Sequence, residues 1–142
     1  MDPHPEIHMA AAKSFIKYDF TAAYLIHSKE RIDNILKEDK LVLGCARTFA
    51  HYSINNFFLK ENKLLDNIQK ISHLPCIIIH GRYDTICKPK SAYELYKSWA
   101  GSELTIVSDA SHSASEPSMS KALVEACKRM YEIYKIKSEI SI

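Results

Sequence analysis

The chain has 142 residues, enough for one domain or parts of two, of which 46% are hydrophobic and 25% charged. With 19 basic residues against 17 acidic ones and a net charge of +2, charge alone does not make it a nucleic-acid or membrane-surface binder. Only 3 glycines are present, so a fold that depends on several tight Gly turns is not encoded within these residues. The first residues, MDPHPEIHMAAAK, lack the apolar run and basic flank of a secretory leader. Cys45, Cys76, Cys87 and Cys127 form no C-x-x-C pair, and reduced thiols in a cytoplasmic protein are the expectation. No apolar run is long enough to span a bilayer.

From Ile7 to His73 the pattern is helical. EIHMAAAKSFIKYDF has an Ala-rich composition with Met9, Ala12, Phe15 and Ile16 apolar. SKERIDNILKED predicts a short amphipathic helix capped by Ser28, with Ile32, Ile35 and Leu36 as its stripe. KLVLGCARTFAHYSINNFFLK is apolar nearly all round and predicts a buried helix. NKLLDNIQKIS predicts another short helix, with Leu64, Leu65, Ile68 and Ile71 on one face. His4 and His8 have a helical metal-ligand spacing, but Pro3 and Pro5 argue against a helix there, and no metal site is predicted.

The pattern changes at Leu74. PCIIIHG is a β-branched run bounded by Pro and Gly, as in a buried strand. SAYELYKSWA predicts an amphipathic helix, SELTIVSDA a second strand, and SHSASEP a loop. SMSKALVEACKRMYEIYKIK predicts a long helix with Met119, Leu123, Ala126, Met130 and Ile133 apolar, and SEISI a frayed end. Tyr93, Tyr96 and Trp99 read as packing residues rather than a stacking platform for nucleic acid. The order strand, helix, strand, helix implies a parallel pair joined by a right-handed crossover. The fold class is therefore α/β, with a helical segment over residues 1–73 and a strand-containing segment over 74–142.

Parallel sheets gather functional groups where strands end at their carboxyl edge. Asp84 follows the first strand and His112 lies five residues beyond Val107. A carboxylate and an imidazole are thus expected at one rim, as in the orienting half of a nucleophile–His–acid triad. The plainer alternative is that Asp84 caps a turn and His112 is a surface loop residue. A serine on a G-x-S-x-G elbow is absent, because Gly44, Gly81 and Gly101 flank no such serine. Ser111 and Ser113 adjoin His112, and sequence neighbours rarely have the geometry to serve as its partner. Cys87 is read as lining the site, or as a partly buried small residue, and not as a nucleophile, since a nearby carboxylate disfavours its thiolate.

These residues carry a resemblance. LPCIIIHGRYDTIC, SAYELYKSWAGSELTIVSDASHSASEP and ALVEA closely resemble the C-terminal part of proline iminopeptidases, α/β-hydrolase-fold serine peptidases that remove an N-terminal proline. AAAKSF and ARTFAHYSIN resemble the helical cap of that family. The resemblance runs from about Asp2 to Lys128 and covers only the last part of a typical member. It implies the C-terminal portion of an α/β-hydrolase fold preceded by an α-helical cap segment. It implies Asp84 as triad acid, His112 as triad base, Cys87 near the site, and Asp19 in place of a cap Glu that holds the substrate amine. It implies a peptide with N-terminal proline as substrate, and no cofactor, metal, nucleic acid or membrane. Ser111 stands where the family usually has Gly. Phe49 replaces a second amine-binding Glu, and Ser53 an aromatic of the proline pocket, which unsettles proline specificity. The oxyanion loop and serine elbow would lie upstream of the cap, so the expectation is a truncated chain, inactive alone. Two strands without further cover also predict self-association or a missing N-terminal portion. The alternative is a non-catalytic hydrolase-fold binding or regulatory protein.

Overall fold

A computed structural model describes residues 4–140, with side chains through residue 136. Two compact units divide the chain, Met1–Glu61 and Asn62–Ile142. The sequence pattern drew its division at 73/74, because residues 62–73 look helical. By contact they group with the strands instead: a 3-10 turn at Leu65–Lys70 buries Ile68 and packs on the helix that follows the first strand.

The first unit holds α1 (Pro5–Ala22), α2 (Lys29–Ile35) and α3 (Asp39–Ile54). Pro5 occupies the first turn of α1, where a missing N–H costs nothing, so the helix starts at the residue expected to prevent it. His4 sits at its N-cap and His8 inside it. Ser28 caps α2, its hydroxyl accepting the Arg31 N–H at 3.3 Å. Ala12, Ile16 and Val42 form a small core, with Met9, Phe15, Phe20 and Leu43 packed against it.

The expectation of a buried α3 is corrected. Val42 is its fully buried residue, whereas Leu41, Phe49, Tyr52 and Ile54 are exposed. A helix apolar all round needs cover on every side. Among the described residues of this unit, α1 and the turn at Asn56–Phe58 pack on α3. In that turn Asn56, Phe57 and Phe58 take φ of 49, 52 and 56°, a left-handed run that is costly for aromatic residues.

The second unit holds β1 (Ile77–Gly81), α4 (Pro89–Ser98), β2 (Glu103–Val107) and α5 (Pro117–Ile140). β1 and β2 are parallel, with Ile77 opposite Glu103 and Gly81 opposite Val107. α4 makes the crossover that a parallel pair requires, and α5 packs on both strands. Gly101, at φ 78°, supplies the left-handed turn between α4 and β2. Trp99 donates its indole N–H to the Leu74 carbonyl at 3.1 Å and so ties the end of α4 to the entry of β1. Val107, Ala110 and Met119 are the buried core, with Ile79, Ala122 and Leu123 against them.

α5 is helical through Ile140, and no Gly or Pro follows Pro117 to stop it. Residues 141–142 lie outside the described residues. Among the described residues no helix is long and apolar enough to cross a membrane.

Candidate active site

At the carboxyl ends of β1 and β2 the strand ladder continues into the loops. Arg82 N–H donates to the Val107 carbonyl at 2.9 Å, and Tyr83 N–H to the Ala110 carbonyl at 3.0 Å. This approach depends on Gly81. A Cβ there would lie 2.7 Å from the Ser111 carbonyl carbon and 2.8 Å from the Ala110 oxygen, with the Ser111 oxygen closer still. Asp84 N–H then closes a turn on the Gly81 carbonyl at 3.3 Å.

Asp84 is buried, 6% exposed, and its two oxygens face different partners. Oδ1 accepts the backbone N–H of Ile86 at 3.0 Å and of Cys87 at 2.8 Å. Oδ2 lies 2.9 Å from Nδ1 of His112. Both readings of Asp84 thus hold locally: it organises a turn with one oxygen and meets an imidazole with the other. An acceptor-only carboxylate on Nδ1 calls for a proton there, which leaves Nε2 of neutral His112 as the nitrogen that accepts a proton. The His112 side chain is 40% exposed against 4% for that of Asp84, so the ring stands at the surface above a sheltered acid.

The loop bearing His112 is anchored from both directions. Ser111, 2% exposed, donates its hydroxyl to the Tyr83 carbonyl at 3.0 Å, stitching the two loops beside the Asp–His contact. Its N–H donates to Oε2 of Glu116 at 2.6 Å. Glu116 is itself buried and directly precedes Pro117, which opens α5. Ser113 pairs its hydroxyl with that of Ser115 at 3.0 Å. The hydroxyl of each serine beside His112 is thus engaged in a hydrogen bond.

The structure brings together three of the residues singled out in the sequence: Asp84, His112 and Cys87. Asp19 lies half-buried on α1, in the first unit. Sequence reasoning missed Glu116 and gave His80 no role. The signal for Glu116 was an acid immediately before a Pro that starts a helix, where a side-chain acceptor is useful. Among the described residues no group of three or more His, Cys, Asp or Glu side chains could hold a metal ion.

Cys87 is exposed, yet desolvation by its surroundings, and after it the Asp84 carboxylate, push its thiol above the ordinary 9.0, and desolvation does the same for half-buried Cys76. A thiol whose folded pKa is raised holds its proton more tightly in the fold than in the unfolded chain. Its contribution to stability is complete below pH 9.0 and is lost as pH rises through the folded value. The second unit is accordingly expected to weaken above that pH. Alkylation of Cys87 as a function of pH is expected to show a midpoint above 9.0, and Asp84→Asn to lower it by removing the anion. An unchanged midpoint in Asp84→Asn would separate Cys87 from the acid.

No protein-family model matches the chain. It is 43% identical over 128 residues to a proline iminopeptidase of Arabidopsis thaliana, covering 88% of this chain and 33% of that protein. It is 36% identical over 119 residues to a proline iminopeptidase of Xanthomonas citri, covering 83% of this chain and 38% of that protein. Its structure matches an esterase from Exiguobacterium antarcticum with a TM-score of 0.60 at 16% identity, covering 89% of this chain and 47% of the esterase. The chain spans about a third of the length of the curated relatives it matches. It is homologous to the proline iminopeptidases over that stretch, and its α/β structure corresponds to part of an α/β-hydrolase fold.

Proposed function

We propose that this chain supplies the acid and the base of a proline iminopeptidase-like serine aminopeptidase, which releases N-terminal proline from peptides. The observation that carries the reading is the 2.9 Å contact from Asp84 Oδ2 to His112 Nδ1 at the carboxyl ends of two parallel strands. Asp84 holds His112 in the tautomer with Nε2 free, and Nε2 takes the proton of an attacking hydroxyl. The resulting imidazolium is stabilised by the buried carboxylate, then returns the proton to the leaving amine. The chemistry needs no cofactor.

The nucleophile is not among the 142 residues, so the chain alone is inactive and the serine and oxyanion donors come from polypeptide outside it. The two-stranded sheet and the exposed apolar side chains of both units support that reading. Asp19 would hold the substrate's α-ammonium, and the protein would work in the cytoplasm, in keeping with four free thiols.

A second reading, a hydrolase-fold protein that binds without turnover, is favoured by Phe49. Its ring packs 4.7 Å from that of Phe15 and 6.1 Å from that of Phe57, so an aromatic cluster occupies the place where the resemblance implies a second carboxylate.

The test is to map the native transcript upstream of Met1, express what it encodes together with this chain, and assay a prolyl amide. Proline release by the combined protein, and none by the chain alone, is expected. Saturable binding of an N-terminal-proline peptide without turnover would favour the second reading.

A further inference from the structure

We propose that His80 is a positioning residue that holds the Asp84 carboxylate in register for His112. The inference rests on the reading of Asp84 and His112 as an acid–base pair and assigns a third side chain to that site. His80 is the next-to-last residue of β1, and its side chain is 16% exposed. Its Nε2 lies 2.7 Å from the Cys87 carbonyl oxygen and 3.5 Å from Asp84 Oδ2. A carbonyl only accepts, so Nε2 of His80 carries a proton. That proton commits to Cys87, with the carboxylate at the edge of its reach.

Cys87 is consequently held at both ends of its backbone. Its N–H goes to Asp84 Oδ1 at 2.8 Å, and its carbonyl receives His80. The turn from Asp84 to Cys87 is closed by the acid on one side and pinned to the rigid strand by the imidazole on the other. Asp84 Oδ1 is fixed only as well as the N–H groups of Ile86 and Cys87 are fixed, and Oδ1 sets where Oδ2 points. Without His80, the Cys87 carbonyl turns to water, the turn loosens, and Oδ2 loses its alignment with His112 Nδ1. His80 touches neither substrate nor nucleophile in this scheme and acts through Asp84 alone.

The experiment compares His80→Gln with His80→Asn in the chain itself. Both are polar and smaller than His, but the Gln amide reaches the position of Nε2 and the Asn amide does not. The readouts are exchange of the Cys87 amide and the low-field Nδ1–H proton resonance of His112, with exchange of the Ile78 amide in β1 as a control for folding. In His80→Asn the Cys87 amide is expected to exchange about tenfold faster, the effect of losing one hydrogen bond. The His112 resonance is expected to broaden or vanish while Ile78 is unchanged. His80→Gln is expected to keep both signals.

In the protein assembled with its serine, His80→Asn is expected to lower kcat about 10- to 100-fold with little change in KM, and Gln to restore it. If Asn and Gln behave alike in the chain, whether both like His or both disrupted, the positioning role is overturned. If the two variants separate as expected and the assembled protein still releases no proline, the role of His80 on Asp84 stands and the peptidase reading fails.

Discussion

In the protein assembled with its serine, Asp84→Asn is expected to lower kcat about ten-thousandfold while leaving the fold intact. The structure dictates how. Oδ1 of residue 84 accepts the N–H groups of Ile86 and Cys87 at 3.0 and 2.8 Å, and only an oxygen can sit there. The Asn side chain must therefore turn its amide oxygen to the backbone and its NH2 group to His112 Nδ1. A donor facing Nδ1 expels the proton from that nitrogen, and neutral His112 is forced into the tautomer protonated on Nε2. An Nε2 that already carries a proton cannot accept one from a hydroxyl. The 15N shifts of the His112 ring read this switch in the chain alone, without any activity. The assay of the assembled protein then reads its cost. A variant that keeps the Nδ1–H tautomer, or keeps most of its kcat, would remove Asp84 from the role of orienting acid.

Gly81→Ala is expected to destabilise the second unit by about 3 kcal/mol and to break the Asp84–His112 contact. The added methyl would meet the backbone of Ala110 and Ser111, residues that are 0% and 2% exposed. Backbone in a buried loop cannot swing aside as the tip of a long side chain can, so the base loop has to withdraw. Three links across the loops then weaken together: Tyr83 N–H to Ala110, Ser111 Oγ to Tyr83, and His112 to Asp84. Urea unfolding followed by the fluorescence of Trp99, the chain's one tryptophan, measures the loss, and the His112 Nδ1–H resonance reports the contact. About 3 kcal/mol is a large share of the stability of a domain this small. A change within about 0.5 kcal/mol, the range of an ordinary surface substitution, would show that the close approach at Gly81 is not needed.

The α/β class and the order of strands and helices in the second unit are legible in the sequence, which also marks Asp84 and His112 as candidates for one rim. Each rests on a local signal. Ile77 to Ile79 is a β-branched run between Pro75 and Gly81, Pro89 opens a helix, and turn-rich segments follow both strands. Parallel pairing then brings the two strand ends to one rim by topology alone. Less legible was what covers what. The composition of α3 reads as buried on all faces, but burial is a property of neighbours, and in the first unit Val42 is fully covered while Phe49 and Ile54 are not. Likewise the helical texture of residues 62–73 said nothing of their packing on α4.

The sequence by itself thus determined the kinds of elements and the parallel crossover, and it nominated two side chains for its rim, because periodicity, β-branching and Pro/Gly punctuation act over a few residues. It also determined that no G-x-S-x-G elbow lies within these residues. Only the tertiary structure decided what holds that pair in place. His80 reaches the Cys87 carbonyl, Ser111 bonds the carbonyl of Tyr83 28 residues away, and Glu116 turns back from the start of α5 to the Ser111 amide. The bond between Ser111 and Tyr83 depends on the close approach of two loops, which the absence of a Cβ at Gly81 permits. No pattern along a single chain encodes a distance of that kind, because it arises from the packing of both strands and α5 together.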